Sequence, residues 1–403
     1  MMKRREILKT LTMLPLAGAM GNSGSLLNPA EAAQPAKPDV FKEFGLRTFI
    51  NASGYYTSLS GSLMHEETMD AIRQASKHFC RLDEVQDKVG VRIAELLHAE
   101  SAMVTAGAFS ALMLGMAGVL CGNDPKKAAL IPNLEGSEMK TEVILQKAHN
   151  DGYAHALRNC GVRLITVETR EELEKAISEK TAMMYFINYQ ASLGAIQHKE
   201  WLEVAKKYQI PTMIDMAADL PPKENLWKFH DLGFDLVCVS GGKFMRGPQS
   251  TGILSGRKDL IASARLNAPP RGSNIGRGMK VNKEEIFGLY FALDQFIKSD
   301  QDQEWKMLED RINLIEKSVS SIPGVMTEML PLPAINRVPT LKISWDKTKI
   351  KLDNLAMNLR NGNPSVEVMG GSGSISLTTH MLKADEVKVV AGRIREEFLN
   401  ALI

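Results

Sequence analysis

Lys243 closes the segment Val237-Cys238-Val239-Ser240-Gly241-Gly242-Lys243, and Asp215 closes Thr212-Met213-Ile214-Asp215, 28 residues earlier. Each segment reads as a short apolar strand that delivers one polar group at its end. An amine in that position can bond a carbonyl, and a buried carboxylate can hold a proton on a heteroaromatic nitrogen by charge pairing. A strand ending in Asp, a helical crossover and a strand ending in Ser-Gly-Gly-Lys is the wiring pyridoxal 5'-phosphate requires: a Schiff-base lysine and a carboxylate facing the pyridine nitrogen. Desolvation and a nearby cation are expected to lower the lysine pKa so that it attacks as an amine. Gly241 and Gly242 allow a tight turn and leave space for the cofactor. A phosphate group is expected at Thr105-Ala106-Gly107-Ala108-Phe109-Ser110, where small residues at a helix start leave backbone N–H groups open to an anion. The Ser110 hydroxyl adds a donor there, and Ser240 is a second expected phosphate ligand.

Positioning these groups calls for alternating strands and helices. Residues 49–54 read as a strand and turn, and residues 66–78 and 84–98 have helical spacing. An apolar helix is expected over 106–120. Strands are expected at 129–131, 142–145, 162–165, 182–187, 211–214 and 236–239, with helices between them such as 170–178 and 199–207. This alternation predicts an α/β fold whose sheet is mostly parallel, with helices on both faces. Residues 269–278 are a Gly/Arg/Pro-rich break, followed by a long helical region over 283–320. From residue 341 strands alternate toward a final helix over 384–402, which suggests a smaller α+β domain. The expected division is 1–33 signal and linker, 34–75 N-terminal segment, 76–278 large cofactor-binding domain and 279–403 small C-terminal domain.

Composition bounds the rest. A chain of 403 residues can bury one large core or two domains sharing a cleft, and 44% hydrophobic with 24% charged residues is ordinary for a globular protein. A net charge of +2 without a basic stripe of interleaved aromatics speaks against a nucleic-acid partner. Cys80, Cys121, Cys160 and Cys238 lie far apart and show no zinc-ligand spacing, and the eight histidines form no HExxH, so no metal is expected. Cys238 sits in an apolar strand and reads as a buried thiol. Methionines number 22 and are scattered, which suits gap-filling in the core.

The N-terminus carries Lys3-Arg4-Arg5-Glu6-Ile7-Leu8-Lys9, which looks like a twin-arginine export motif with Lys3 and Ile7 as departures. The apolar stretch from Thr10 to Met20 is interrupted by Pro15 and too short for a stable membrane span. Ala30-Glu31-Ala32 offers a small-x-small cleavage site. The expected partner is therefore the twin-arginine export machinery, which carries folded cargo, and the expected location is periplasmic or exported, with the cytoplasm as the alternative.

Residues 243–261, Lys-Phe-Met-Arg-Gly-Pro-Gln-Ser-Thr-Gly-Ile-Leu-Ser-Gly-Arg-Lys-Asp-Leu-Ile, resemble the segment after the cofactor lysine in bacterial selenocysteine synthase, the L-seryl-tRNA(Sec) selenium transferase. Ile50-Asn51-Ala52-Ser53-Gly54-Tyr55-Tyr56, the run from Asp215 to Pro222 and Leu359-Arg360-Asn361-Gly362-Asn363-Pro364 point to a closer branch, the D-glucosaminate-6-phosphate ammonia-lyase-like enzymes. The resemblance covers about residues 40–400. It implies a fold-type I, aspartate aminotransferase-like PLP enzyme, a homodimer or higher homo-oligomer. It matches Lys243 to the Schiff-base lysine and Asp215 to the pyridinium partner, and puts Gly107, Ala108 and Ser110 in the phosphate loop. His149 falls where a residue packs on the cofactor's face. Arg360 resembles a small-domain arginine that forks a substrate carboxylate. Gln249, Arg277 and Lys280 match family positions without an assigned role. The tRNA-binding N-terminal domain of selenocysteine synthases has no counterpart before residue 34, where only the signal stands.

Together these features predict a PLP-dependent lyase acting on a small amino acid or amino sugar acid by α-proton abstraction and elimination. Transamination, racemisation and selenium transfer share the same carbanion and stand as enzymatic alternatives. An inactive PLP-fold binding protein is the non-enzymatic one, against which the retention of both Lys243 and Asp215 argues.

Overall fold

The computed structural model describes residues 38–332 and 337–403. The export motif and its cleavage site lie outside them. The chain divides into two compact units at Thr48/Phe49. In the first, the described residues form one short helix, Val40–Glu43, capped by the Asp39 carboxylate, which accepts the Phe41 and Lys42 N–H groups. Everything that follows belongs to the second unit.

Its strands, in chain order, are β1 (Ile50–Asn51), β2 (Ser101–Thr105), β3 (Glu142–Gln146), β4 (Arg163–Val167), β5 (Thr181–Ile187), β6 (Thr212–Asp215), β7 (Leu236–Ser240), β8 (Gly252–Gly256), β9 (Val325–Met329), β10 (Leu341–Trp345), β11 (Val366–Glu367), β12 (Met369–Gly370) and β13 (Ser374–Leu377). Seven of them form one sheet in the order β2-β8-β7-β6-β5-β3-β4. Strands β3 to β7 pair in parallel, and β8 runs antiparallel between β7 and β2. This is the mostly parallel sheet that the alternation predicts.

Side chains along these strands alternate between two cores. Val104, Ile144, Met184, Phe186, Ile214, Val237 and Ile253 face one core, and Met103, Leu145, Met183, Tyr185, Met213, Leu236 and Leu254 face the other. A sheet buried on both faces needs apolar residues at every position, which is why its strands read as continuous runs. Helices Leu82–Leu96, His198–Tyr208 and Lys283–Lys298 cover the first face through Ile93, Trp201 and Leu289. Helices Gly107–Cys121 and Lys258–Leu266 cover the second. A third core lies under the antiparallel sheet β12-β13-β10-β9, where Ile312, Ile315, Ile343, Trp345, Ile394 and Phe398 pack together.

One expectation needs correction and another is refined. Residues 129–131 are not a strand: Pro125–Leu130 is a helix, because the Asp124 carboxylate caps it by accepting the Lys126 N–H and Pro125 takes the first turn, where its missing donor costs nothing. The long helical region expected over 283–320 is present as two helices, Lys283–Lys298 and Gln301–Val319. Asp300 adopts an extended conformation and caps the second by accepting the Gln303 N–H at 3.0 Å.

Candidate active site

Parallel strands leave all their carboxyl ends on one edge of the sheet, and ligands of such folds bind outside that edge. Ile187, Asp215 and Cys238 stand side by side across β5, β6 and β7. Thr105, Gly252 and Ser240 form a second row across β2, β8 and β7. Strand β2 runs in the same direction as β7, so the start of helix Gly107–Cys121 opens onto the edge that carries Asp215 and the lysine loop.

The loop after β7 is clamped. Gly241 N–H donates to Thr251 O at 2.9 Å, Gly247 N–H donates to Gly241 O at 2.8 Å, and the Ser62 hydroxyl donates to the carbonyls of Gly242 and Lys243. A Cβ on Gly241 would lie 2.4 Å from Leu289 Cδ1, and one on Gly242 would lie 2.4 Å from Gln249 Cα. No side chain fits at either position, so the expected tight turn is required by close approach. Lys243 emerges from this loop half-buried. Burial lowers its pKa, opposed in part by Asp215, Asp219 and Cys238. Asp215 is buried and its pKa is raised by burial, against the pull of the Ala217 N–H at 2.8 Å, of Lys243 and of the Tyr185 hydroxyl at 3.2 Å. Desolvation therefore outweighs mutual attraction for both partners.

A second carboxylate was not singled out from the sequence. Asp219 is 2% exposed, its Oδ1 accepts the Asn188 Nδ2–H at 2.7 Å, and its Oδ2 has no partner. Burial raises its pKa to about 7, with Asp215 adding to the shift and Asn188, Arg337 and Lys243 opposing it. Behind it, His198 Nε2 lies 2.9 Å from Asn188 Oδ1. Burial lowers the His198 pKa to about 4, so the ring is neutral and donates that proton. The signal available in sequence was an Asp four residues past Asp215, too common a pattern to mark without its burial.

The other expected residues fall as follows. No side chain caps helix Gly107–Cys121; Gly107 has φ +85°, a backbone glycine adopts readily, and Gly107 and Ala108 are partly exposed. Ser110 is buried and donates to Ala106 O at 2.7 Å, so its hydroxyl hydrogen is used within the helix. Ser240 is partly exposed at the end of β7. His149 is completely buried beyond β3: its Nδ1 accepts the Ile187 N–H at 3.3 Å and its ring meets Phe186 edge-on at 4.4 Å. Burial lowers its pKa to about 4. It therefore stands, as a neutral ring, after β3, two strands from the β6 strand that carries Asp215. Arg360 is not free: Nε and Nη2 fork the Glu367 carboxylate at 2.7 and 2.9 Å. Gln249 donates to Thr57 O at 3.1 Å, and Arg277 and Lys280 are exposed.

A clamped lysine and a buried carboxylate at the carboxyl edge of such a sheet define a class of enzyme. The sequence matches the aminotransferase class-V family over residues 55–369, and the chain belongs to that family. Among its relatives, the D-glucosaminate-6-phosphate ammonia lyase of Salmonella typhimurium is 26% identical over 375 residues, covering 89% of this chain and 98% of the relative. The 5'-C-glycyluridine monooxygenase-decarboxylase of a Streptomyces species is 23% identical over 380 residues, 89% of this chain and 92% of that one. The L-seryl-tRNA(Sec) selenium transferase of Aquifex aeolicus is 23% identical, covering 80% and 77%. A solved structure of D-glucosaminate-6-phosphate ammonia-lyase superimposes with a TM-score of 0.78 at 25% identity, over 91% of this chain and 99% of the other.

The protein is thus an enzyme with a fold-type I architecture and pyridoxal 5'-phosphate as its cofactor. The residues at the edge fit that group. Lys243 is biased toward a neutral amine, Asp215 is a buried carboxylate in want of a cation, and the helix start at Gly107 presents N–H groups with no side-chain cap.

Proposed function

We propose that this enzyme is a lyase that removes the α-proton of an amino acid or amino sugar acid and expels a β-hydroxyl, releasing ammonia. The observation that carries the reading is half-buried Lys243 with buried Asp215 at the carboxyl edge, in a chain similar over nearly its whole length to an ammonia lyase. Pyridoxal 5'-phosphate, when bound, supplies an electron sink for the carbanion at the substrate α-carbon. Lys243 would hold the cofactor covalently, and its Nζ, when free, takes the substrate α-proton. Asp215 would hold a proton on the pyridine nitrogen. Gly107 and Ala108 would bind the phosphate through backbone N–H groups, with Ser240 and Ser110 beside them, and His149 would pack toward the ring. Asp219, near half-protonation at neutral pH, gives a proton from Oδ2 to the departing hydroxyl, which leaves as water. The product enamine tautomerises and hydrolyses to a keto acid and ammonia.

Borohydride reduction followed by peptide mapping tests the attachment at Lys243, and an assay for ammonia and keto acid tests the reaction. Ammonia released from an amino sugar acid without an added acceptor supports elimination. A strict requirement for a keto-acid acceptor means transamination instead.

We also propose twin-arginine export and a homo-oligomeric assembly. Replacing Arg4 and Arg5 with lysine should retain a cofactor-loaded protein in the cytoplasm. Wild type found wholly in the cytosol with its N-terminus intact would overturn the export reading.

A further inference from the structure

Three residues past Lys243, Arg246 takes φ 59°, a left-handed conformation that costs a residue with a side chain and that is retained where function or packing fixes it. Its side chain enters a cleft of about 760 Å³, within the range of small-molecule sites. The cleft touches the lysine loop directly: Ser62 lines it and bonds the carbonyls of Gly242 and Lys243.

The charged groups in this cleft are unevenly matched. Arg246, Arg311 and Lys383 face Glu66 and Glu304. Arg246 Nε donates to Leu63 O at 2.7 Å, and Arg311 Nη1 donates to Leu382 O at 2.9 Å and Thr379 O at 3.4 Å. Those bonds orient each guanidinium and leave other N–H groups of both without a recorded partner. Among the described residues neither arginine forms an ion pair, although both feel Glu304 and Arg246 also feels Arg311. Burial raises the pKa of Glu304, which weakens the one carboxylate near enough to matter to both. His380 lines the same cleft. It is 8% exposed, and neither of its ring nitrogens has a partner. Phe244 stacks on it at 5.9 Å and Tyr55 meets its edge at 5.0 Å. The Tyr55 hydroxyl is itself unpartnered, and Asp219 is among the charges that act on it. Packed side chains, His380 and then Tyr55, thus separate this cleft from Asp219, whose charge acts on both Tyr55 and Lys243.

We propose that this cleft is a specificity subsite for an oxyanion of the substrate, held by Arg246 and Arg311 with a ring N–H of His380. The inference rests on the reading of Lys243 as the cofactor lysine, since it places the anionic group beside that loop. Two guanidinium groups with free N–H donors in a partly desolvated cleft match a carboxylate or a phosphate ester. Arg360, by contrast, already holds Glu367.

The test titrates the cofactor-loaded protein, whose own phosphate site is filled, with inorganic phosphate and separately with acetate by calorimetry. One or both should bind, and the double variant Arg246→Gln/Arg311→Gln should weaken binding by about tenfold or more, as loss of charge-assisted hydrogen bonds requires. Phosphate binding alone identifies a phosphate ester as the group recognised; acetate binding identifies a carboxylate. Binding of neither, or equal binding by the double variant, overturns the proposal. If that variant does not fold, protection of wild-type Arg246 and Arg311 from phenylglyoxal, read by peptide mass spectrometry, replaces it. Equal modification with and without both anions overturns the proposal too. Cofactor attachment is scored in the same samples: a chain that carries the cofactor on Lys243 but ignores both anions sinks this inference alone, whereas cofactor found on another lysine sinks the reading beneath it.

Discussion

The two edges of the seven-stranded sheet treat carboxylates in opposite ways. At the amino edge, Asp235 accepts the Thr212 N–H and hydroxyl at 2.7 and 2.9 Å and Arg257 at 3.0 Å, and Glu142 takes bonds from Arg163 and Ser178. Each is fully matched. At the carboxyl edge, Asp215 and Asp219 are both buried and raised by that burial, Asp215 adds to the shift of Asp219, Asp219 Oδ2 is unpartnered, and the nearby lysine is pushed toward its neutral form. Buried polar groups are ordinarily satisfied, so orphans gathered at one edge mark where stability has been given up to ligand chemistry. The same β-strands thus join an edge built to hold the fold to an edge built to bind.

Four substitutions probe that contrast, beginning with the largest effect. Lys243→Ala should abolish covalent attachment and lower turnover by several orders of magnitude, on the order of 10³-fold or more. Cofactor still fixed at the same site by borohydride would exclude the assignment. Asp215→Asn keeps the shape and removes the charge. Exchange of the substrate α-proton in deuterated buffer should slow by roughly 10²-fold, with the cofactor still attached; near-wild-type exchange would remove Asp215 from the mechanism.

Asp219→Asn should act through pH. The folded-state pKa of Asp219 is raised to about 7 from an ordinary 3.8, so the folded protein binds an extra proton between those values. Its contribution to stability is fully present below pH 3.8 and is lost as pH rises through about 7. The apoprotein variant should escape that loss and exceed wild type at pH 8 by roughly 1–4 kcal/mol. Denaturant midpoints measured from pH 4 to 8 decide it, and parallel curves for the two proteins would show that Asp219 does not titrate in this window. Turnover of the variant should also fall, by roughly 10²-fold.

The smallest effect belongs to the other edge. Asp235→Asn loses the charge that pairs with Arg257 and should cost about 1 kcal/mol of stability. Its kcat should match wild type. A variant as inactive as Asp215→Asn would erase the distinction between the edges.

Much of the large sheet was legible because burial on both faces writes itself as apolar runs. Residues 182–187 and 236–239 were read within one residue of β5 and β7. Strands β2 and β8 were not read. Ser101-Ala102-Met103-Val104-Thr105 runs almost directly into an apolar helix, and Gly252-Ile253-Leu254-Ser255-Gly256 has glycine at both ends and a serine inside, which hides its periodicity. Lys243 and Asp215 were visible because Asp215 ends a strand and Lys243 follows one by three residues. Asp219 and Arg246 were not, since what distinguishes them is a missing partner. An unpartnered Oδ2 or guanidinium N–H is a fact of three-dimensional packing, and the letters around it look ordinary. Arg360 teaches the converse, as its neighbourhood in sequence gave no sign that Glu367, seven residues on, fills its fork.

The place of β8 gives cofactor loading a further meaning. Strand β8 lies between β7 and β2, although it follows Lys243 in the chain. A polypeptide that ends before Gly252 already contains Lys243, Asp215 and the helix beginning at Gly107, but lacks the strand that joins that helix to the lysine loop. Bound pyridoxal 5'-phosphate is then a reporter of a completed sheet: nascent or truncated chains should stay colourless while carrying every residue proposed above to hold it. By mass action, each tenfold rise in free cofactor above its dissociation constant adds about 1.4 kcal/mol to the finished fold and nothing to the unfinished one.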